Sequence, residues 1–184
     1  MKFDEPSSLF ENTRAARRAH HKAWAEYVQA CADHLDSLRG VLPSSVIELA
    51  ELRGMDDGLI VQVTSDRAEG SLTLILRCGD LVMGYFDLVV TYEDAEMTPA
   101  DAQVLARLAR STVSDGCFDA DLSRHEVDTT AEGRIEHRLE FHRHFQSDQW
   151  LAIRCRALQW EKISRPNRNL PQYPDRFPGG PVTA

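Results

Sequence analysis

The sequence predicts an α+β fold: a single antiparallel sheet of about six strands, ordered as a β-meander, a helix, then a strand plus hairpin, with a long N-terminal helix and a second helix packed on the sheet. Three observations carry this. The stretch GRIEHRLEFHRHFQSDQWLAIRCRAL (133 to 158) alternates apolar and polar residues on both sides of a short polar turn. Three earlier runs alternate in the same way, through Leu59, Val61 and Val63, then Leu72, Leu74 and Leu76, then Phe86, Leu88, Val90 and Tyr92. Two further stretches, ending near Gly40 and beginning at Thr98, have helical composition and period.

In chain order, Ser8 and Glu11 form an S-x-x-E capping box, and no proline or glycine interrupts the chain from there to Arg39. Trp24, Tyr27, Val28, Cys31, Leu35 and Leu38 make an apolar stripe in the second half of this helix, which should dock. The alanine-rich first half, with Arg14, Arg17, Arg18 and Lys22, is free to project. SSVIELAEL after Pro43 fits a helical turn or an edge strand, and we read it as a short helix. Residues 65 to 70 and 78 to 84 are of turn type and join the three alternating runs into a meander. Thr98, Pro99 and Asp101 are an N-cap hydroxyl, a first-turn proline and a first-turn acid, followed by Val104, Leu105, Leu108 and Ala109 on one face. Residues 118 to 128 hold no single parity, as in an edge or bulged strand.

In the hairpin, Ile135, His137, Leu139 and Phe141 share one face and Glu136, Arg138, Glu140 and His142 the other. A three-residue loop, Gln146 to Asp148, sets Phe141 opposite Ile153, Leu139 opposite Cys155 and Glu140 facing Arg154; a four-residue loop would set Phe141 against Arg154. The first register is the one expected. After Arg165 the chain holds five of its eight prolines, which excludes helix or central strand. Leu170, Tyr173 and Phe177 recur there at a spacing suited to an extended arm laid on the domain. The organisation expected is thus a helical extension (1–40), an α+β core (41–164) and a proline-rich arm (165–184).

The chain has 184 residues and a formal charge of −8, enough for one well-cored domain. Residues 40 to 164 hold 22 acids and 12 bases, whereas residues 165 to 184 hold three arginines and one aspartate. This acidic core disfavours nucleic acid; its charge reads first as what keeps a cytoplasmic protein soluble, and second as suited to a basic protein partner. No apolar run approaches the roughly 20 residues that span a bilayer, so a cytoplasmic protein without membrane contact is expected. Cys31, Cys78, Cys117 and Cys155 lack C-x-x-C spacing and read as reduced thiols.

Known motifs for nucleophiles, phosphate loops or zinc helices are missing from the sequence, and no cofactor is expected. His142 and His144, with Glu140 beyond them, could form a strand H-x-H metal site and support a small metal-dependent hydrolase. His125, Glu126, Asp119, Asp121 and Asp128 read as a solvated acidic edge in preference to an acid–base site, and His137 as a core histidine. The favoured reading is a non-enzymatic protein-interaction domain. Its partner-binding face would carry Arg138, Arg154, Arg156, Trp150 and Trp160, with Tyr85 and Val89 on the corresponding face of the third strand. A homodimer through residues 10–39 would lay each helix's basic half on its partner's acidic half; the alternative is a monomer whose helix lies along its own core.

The order of GYFDLVVTYEDAEM (84 to 97), helix 98 to 111, RHEVD (124 to 128), RIEHRLEFH (134 to 142) and LAIRCRAL (151 to 158) is similar to a family of uncharacterised bacterial proteins known only as a domain of unknown function. The resemblance covers about residues 50 to 160 and implies no catalytic residues. At the level of fold class alone, the chain also resembles immunity proteins that neutralise bacterial toxins.

Overall fold

A computed structural model describes residues 14–66, 68–110, 121–142 and 149–169. Its elements are α1 (Arg14–Leu38), α2 (Ser44–Ala50), β1 (Leu59–Asp66), β2 (Ser71–Asp80), β3 (Gly84–Glu93), α3 (Pro99–Arg110), β4 (Asp121–Thr129), β5 (Ile135–His142), β6 (Gln149–Cys155) and β7 (Ala157–Arg165). The capping box at Ser8 and Glu11, the loop 146–148, Cys117, Asp119 and the arm residues Leu170, Tyr173 and Phe177 lie outside the described residues.

The α+β class and antiparallel pairing hold, but the predicted single sheet is two. One sheet has the order β1-β2-β3-β7 and the other β4-β5-β6, with every pair antiparallel. The division falls at Arg156, where the chain bends and the Arg156 N–H donates to Glu93 O at 3.0 Å. Beyond the bend, residues 157 to 165 leave the β5–β6 hairpin and pair along β3, with Val90 opposite Trp160 and Leu88 opposite Lys162. The two sheets touch again at the Gly58–Leu122 and Glu96–Arg154 bridges. A Cβ at Gly58 would stand 2.7 Å from Met55 O, so the turn that leads into the first of these bridges requires glycine.

The hairpin register also differs from expectation. Leu139 pairs with Leu151, His137 with Ile153, and Glu136, not Glu140, with Arg154. Phe141 faces Gln149, a displacement of four residues from the predicted partner Ile153. An even displacement leaves every side chain on its predicted face, which is why the alternation did not detect it.

The buried side chains form one cluster between the sheets, from Leu74, Leu76, Phe86, Leu88 and Val90 on one side to Leu139, Phe141, Leu151 and Ile153 on the other. The helices bridge the sheets and do not lie on one face: α3 touches β1 and β6, and α2 touches β4 and β7. Residues 44 to 50 are helical, and Thr98 caps α3 as predicted, its Oγ1 accepting from the Asp101 N–H at 3.1 Å. α1 lies shallowly along the domain. Leu38 is its buried anchor and Tyr27, Cys31, His34 and Leu35 are partly covered, while Trp24 and Val28 of the predicted stripe face outward.

Candidate functional site

A chain of hydrogen bonds crosses the core from one sheet to the other. Tyr92 on β3 is fully buried, and its Oη lies 2.8 Å from Nδ1 of the equally buried His137 on β5. His137 Nε2 lies 3.3 Å from Nδ1 of His125 on β4. Burial pushes the Tyr92 phenol well above its ordinary value, so it stays protonated. Burial also drives His137 well below the usual imidazole range, with His125 adding to it, and both rings are neutral at pH 7. His137 Nδ1 is an acceptor within hydrogen-bond reach of the Tyr92 hydroxyl. The proton order that uses it has Tyr92 donating to His137 Nδ1 and His137 Nε2–H donating to His125 Nδ1. His125 Nε2 then carries a proton at the end of the chain. The sequence reading of His137 as a core histidine holds.

His125 sits on edge strand β4, beside a cavity of about 270 Å³ between β4, α1 and α2. Because α1 and α2 lie against the edge of the strand, consecutive residues from both of its faces, Arg124 to Val127, line this cavity together with Tyr27, Cys31, His34 and Ala50. His125 keeps some exposed surface, yet protein packed around its ring pushes its pKa down to about 4. Arg124 donates to Tyr27 Oη and lies 3.2 Å from a Glu140 carboxylate oxygen, with its guanidinium 4.9 Å from the centre of the Trp150 ring. Both Glu126 carboxylate oxygens are buried without a hydrogen-bond partner among the described residues, and Arg124 Nε stands 3.8 Å away. Desolvation raises the Cys31 thiol and the Tyr27 phenol, and lowers His34, which lies 3.6 Å from Asp128. The acidic edge read as solvated is therefore partly enclosed, and the bulge expected there falls between Leu122 and Arg124.

The predicted partner-binding face comes apart. Arg138 and Arg154 share the outer face of β5 and β6, but both hold Glu136, Arg154 Nε at 2.7 Å. Burial alone would raise the Glu136 carboxyl, and the bonds from Arg154 and Arg138 outweigh it and hold it low. Trp150 is half-buried against Arg124. Arg156, at the bend, binds Glu93 at 2.9 Å. Trp160 belongs to the other sheet: it shares the inward face with Val90, and its indole N–H donates to Ser45 O at 2.6 Å. Tyr85 and Val89 stand on the opposite, outer face of that sheet, where Val89 pairs with Glu161. Of the proposed metal ligands, His142 is exposed at the end of β5, Glu140 is paired with Arg124, and His144 lies outside the described residues. Among the described residues no group of three or more His, Cys, Asp or Glu is placed to hold a metal.

Two features escaped the sequence reading. On the outer face of the larger sheet, Arg77 and Asp87 form a buried ion pair joined by Arg165 at 2.6 Å, and Arg77 also donates to the Asn169 carbonyl. The chain just after β7 thus covers that pair, and Arg168 donates to Asp57 O at 2.6 Å. The second feature is the β2–β3 turn. Leu81 and Val82 are 90% and 93% exposed, with Met83 also exposed beside them. Asp80 Oδ1 accepts from the Val82 and Met83 N–H groups, both at 2.7 Å, and these bonds hold its carboxyl below the ordinary range. Below the turn, Gly79 has φ of +92°, and a Cβ there would fall 2.1 Å from Gly84 O, so only glycine closes the hairpin this tightly. At its base lies an open hollow of about 630 Å³ bordered by Glu51, Asp56, Asp57, Asp80 and Arg53.

Fold and site together define an α+β protein of two antiparallel sheets bridged by two helices, with a polar chain through the core and an apolar turn at one end. No family model matches the sequence, and neither a curated protein nor a solved structure matches it. No helix among the described residues is long and apolar enough to cross a membrane.

Proposed function

We propose that the protein acts by binding another protein and not by catalysis, with the β2–β3 turn as the contacting element. The observation that supports this is the exposure of Leu81 and Val82 on a turn pinned by Asp80 and closed by Gly79. Large apolar side chains contribute nothing to the fold from such a position, whereas burying each on a partner is worth about 1.5–3 kcal/mol. A pre-formed turn also loses little conformational freedom on association. The hollow behind it carries four carboxylates against one arginine, and the chain is acidic as a whole. The partner is therefore a basic protein that offers an apolar pocket with a cationic rim. This keeps the interaction role read from the sequence, including an immunity-like one, and the likeness of residues 50 to 160 to an uncharacterised family belongs to the same proposal. It moves the contact away from Arg138, Arg154, Arg156 and Trp160, whose polar groups already have partners within the chain, and from Trp150, whose ring lies against Arg124.

The test is site-specific photocrosslinking in the native host. Val82→p-benzoylphenylalanine should capture a basic protein that Glu161→p-benzoylphenylalanine, on the outer face of β7, does not. The capture should disappear when Leu81→Ser is added. Identical products from both positions, or capture that survives Leu81→Ser, would refute the assignment of the turn.

A further inference from the structure

We infer that the cavity between α1 and β4 binds a small uncharged organic molecule with a carbonyl group, whose oxygen accepts from His125 Nε2–H. The reasoning starts at the outer end of the buried hydrogen-bond chain. His125 Nδ1 accepts from His137, which the Tyr92 hydroxyl fixes in turn. In that order the proton of the His125 ring sits on Nε2, where no hydrogen-bond partner is present among the described residues. Nε2 is not sealed off as the Glu126 oxygens are, and His125 lines the cavity while keeping some accessible surface. His125 and Ala50 also border the open hollow below the β2–β3 turn, so the ring stands where the two spaces approach each other.

The other polar groups of the wall are engaged with one another. Arg124 donates to Tyr27 Oη and lies 3.2 Å from Glu140 and 3.8 Å from Glu126, Tyr27 and Cys31 share a hydrogen bond, and His34 lies 3.6 Å from Asp128. The rest of the lining, Val28, Leu35, Ala50 and Val127, is apolar. An ordered water needs two or more polar partners and meets a single uncommitted donor here, whereas a carbonyl on a hydrocarbon body matches both parts of the wall. Charge selects against ions of either sign. Two carboxylates already use up the Arg124 charge, so an anion gains nothing there, and a cation would stand beside Arg124 without reaching the buried Glu126 oxygens. Desolvation holds His125 and His34 neutral, so neither ring adds a charge. At about 270 Å³ the cavity lies below the usual range for drug-sized ligands, which favours a body of a few carbons over a nucleotide or peptide. Access runs past Val28, half exposed on the shallowly placed α1. The site does not depend on the partner assigned to the β2–β3 turn.

Four probes of similar size test the inference on the full chain: cyclopentanone, cyclopentane, which lacks only the carbonyl oxygen, and the charged cyclopentylammonium and cyclopentanecarboxylate. Imidazole nitrogen NMR reads His125 Nε2 directly, and peptide mass spectrometry reads alkylation of Cys31, which lines the cavity. Cyclopentanone should shift the Nε2 resonance and slow Cys31 alkylation, and should bind at least about tenfold more tightly than cyclopentane, as one hydrogen bond contributes. Neither ion should have these effects. Ala50→Leu fills the cavity without removing a polar group and should abolish them, with the His137 resonances retained as proof of folding. The inference is overturned if cyclopentanone leaves Nε2 and Cys31 of the unaltered protein unaffected, as a cavity that holds only water would. It is equally overturned if cyclopentane or either ion acts as strongly, or if folded Ala50→Leu binds cyclopentanone as the unaltered protein does.

Discussion

Lowering the pH from 7 to 5 should destabilise the protein through the histidines of the core chain. His125 has a folded pKa of about 4, against about 6.5 in an unfolded chain. Because the folded value is the lower, the unfolded state binds more protons between these two pH values, and stability there rises with pH. The contribution is fully present above about pH 6.5 and is lost as pH falls through the folded value. Between pH 7 and 5 the loss from His125 alone is about 2 kcal/mol. His137, held well below the ordinary range, and His34, lowered by desolvation, act in the same direction. Glu136, whose carboxyl is held low, keeps its charge in this window and does not contribute there. Urea denaturation at pH 7, 6 and 5, with two-dimensional NMR of the imidazole groups, gives both the slope and its assignment. A His125 or His137 ring titrating near 6.5, or a midpoint unchanged between pH 7 and 5, would refute the buried neutral chain.

Other outcomes follow from the same structure. Tyr92→Phe keeps the ring and leaves His137 Nδ1 without its hydroxyl, so stability in urea should fall by about 1–3 kcal/mol. Asp87→Asn leaves Arg77 buried beside a neutral group and should cost about 3–5 kcal/mol, whereas Asp94→Asn, at an exposed pair with Arg134, should cost under about 1 kcal/mol. Equal effects of these two substitutions in thermal denaturation would contradict the burial of the Arg77–Asp87 pair. For self-association through residues 10–39, light scattering should give the mass of two chains at low salt and of one at high salt. A single-chain mass at every salt concentration leaves α1 as the intramolecular cover described above.

The parts of the fold visible in the sequence are those set by neighbouring residues. Alternation placed β1, β2 and β3, Thr98 and Pro99 started α3, and the mixed parity of β4 announced its bulge. What was not visible depends on residues far apart in the chain. β7 shows little alternation because Lys162, at an inward-facing position, lies over the Phe86 ring at 3.9 Å instead of being replaced by an apolar residue. Only pairing with β3 makes residues 157 to 165 a strand, and that pairing splits the expected sheet in two. Trp160 was assigned to a surface by continuing the parity of Trp150 across a bend at Arg156 that resets it.

The candidate sites divide in the same way. His137 was legible as a core residue from Ile135 and Leu139 on either side, but its bonds to Tyr92 and His125 required the two sheets to face each other. Arg77 and Asp87 have outward parity, and residues 165 to 169 return over them and bond to both. For the turn a signal was present: Leu81, Val82 and Met83 are apolar where Asp80 and Gly84 fix a reversal, and such residues have no local reason to be there.

The claim that matters most is that Leu81 and Val82 carry the partner contact, and the affinity of the captured basic protein for purified variants measures it most directly. The Leu81→Ser, Val82→Ser double variant should keep its urea midpoint, since both residues are exposed, and bind at least about tenfold more weakly. Affinity of the unaltered protein should fall as salt rises. A folded double variant that binds as tightly as the unaltered protein would contradict the proposal.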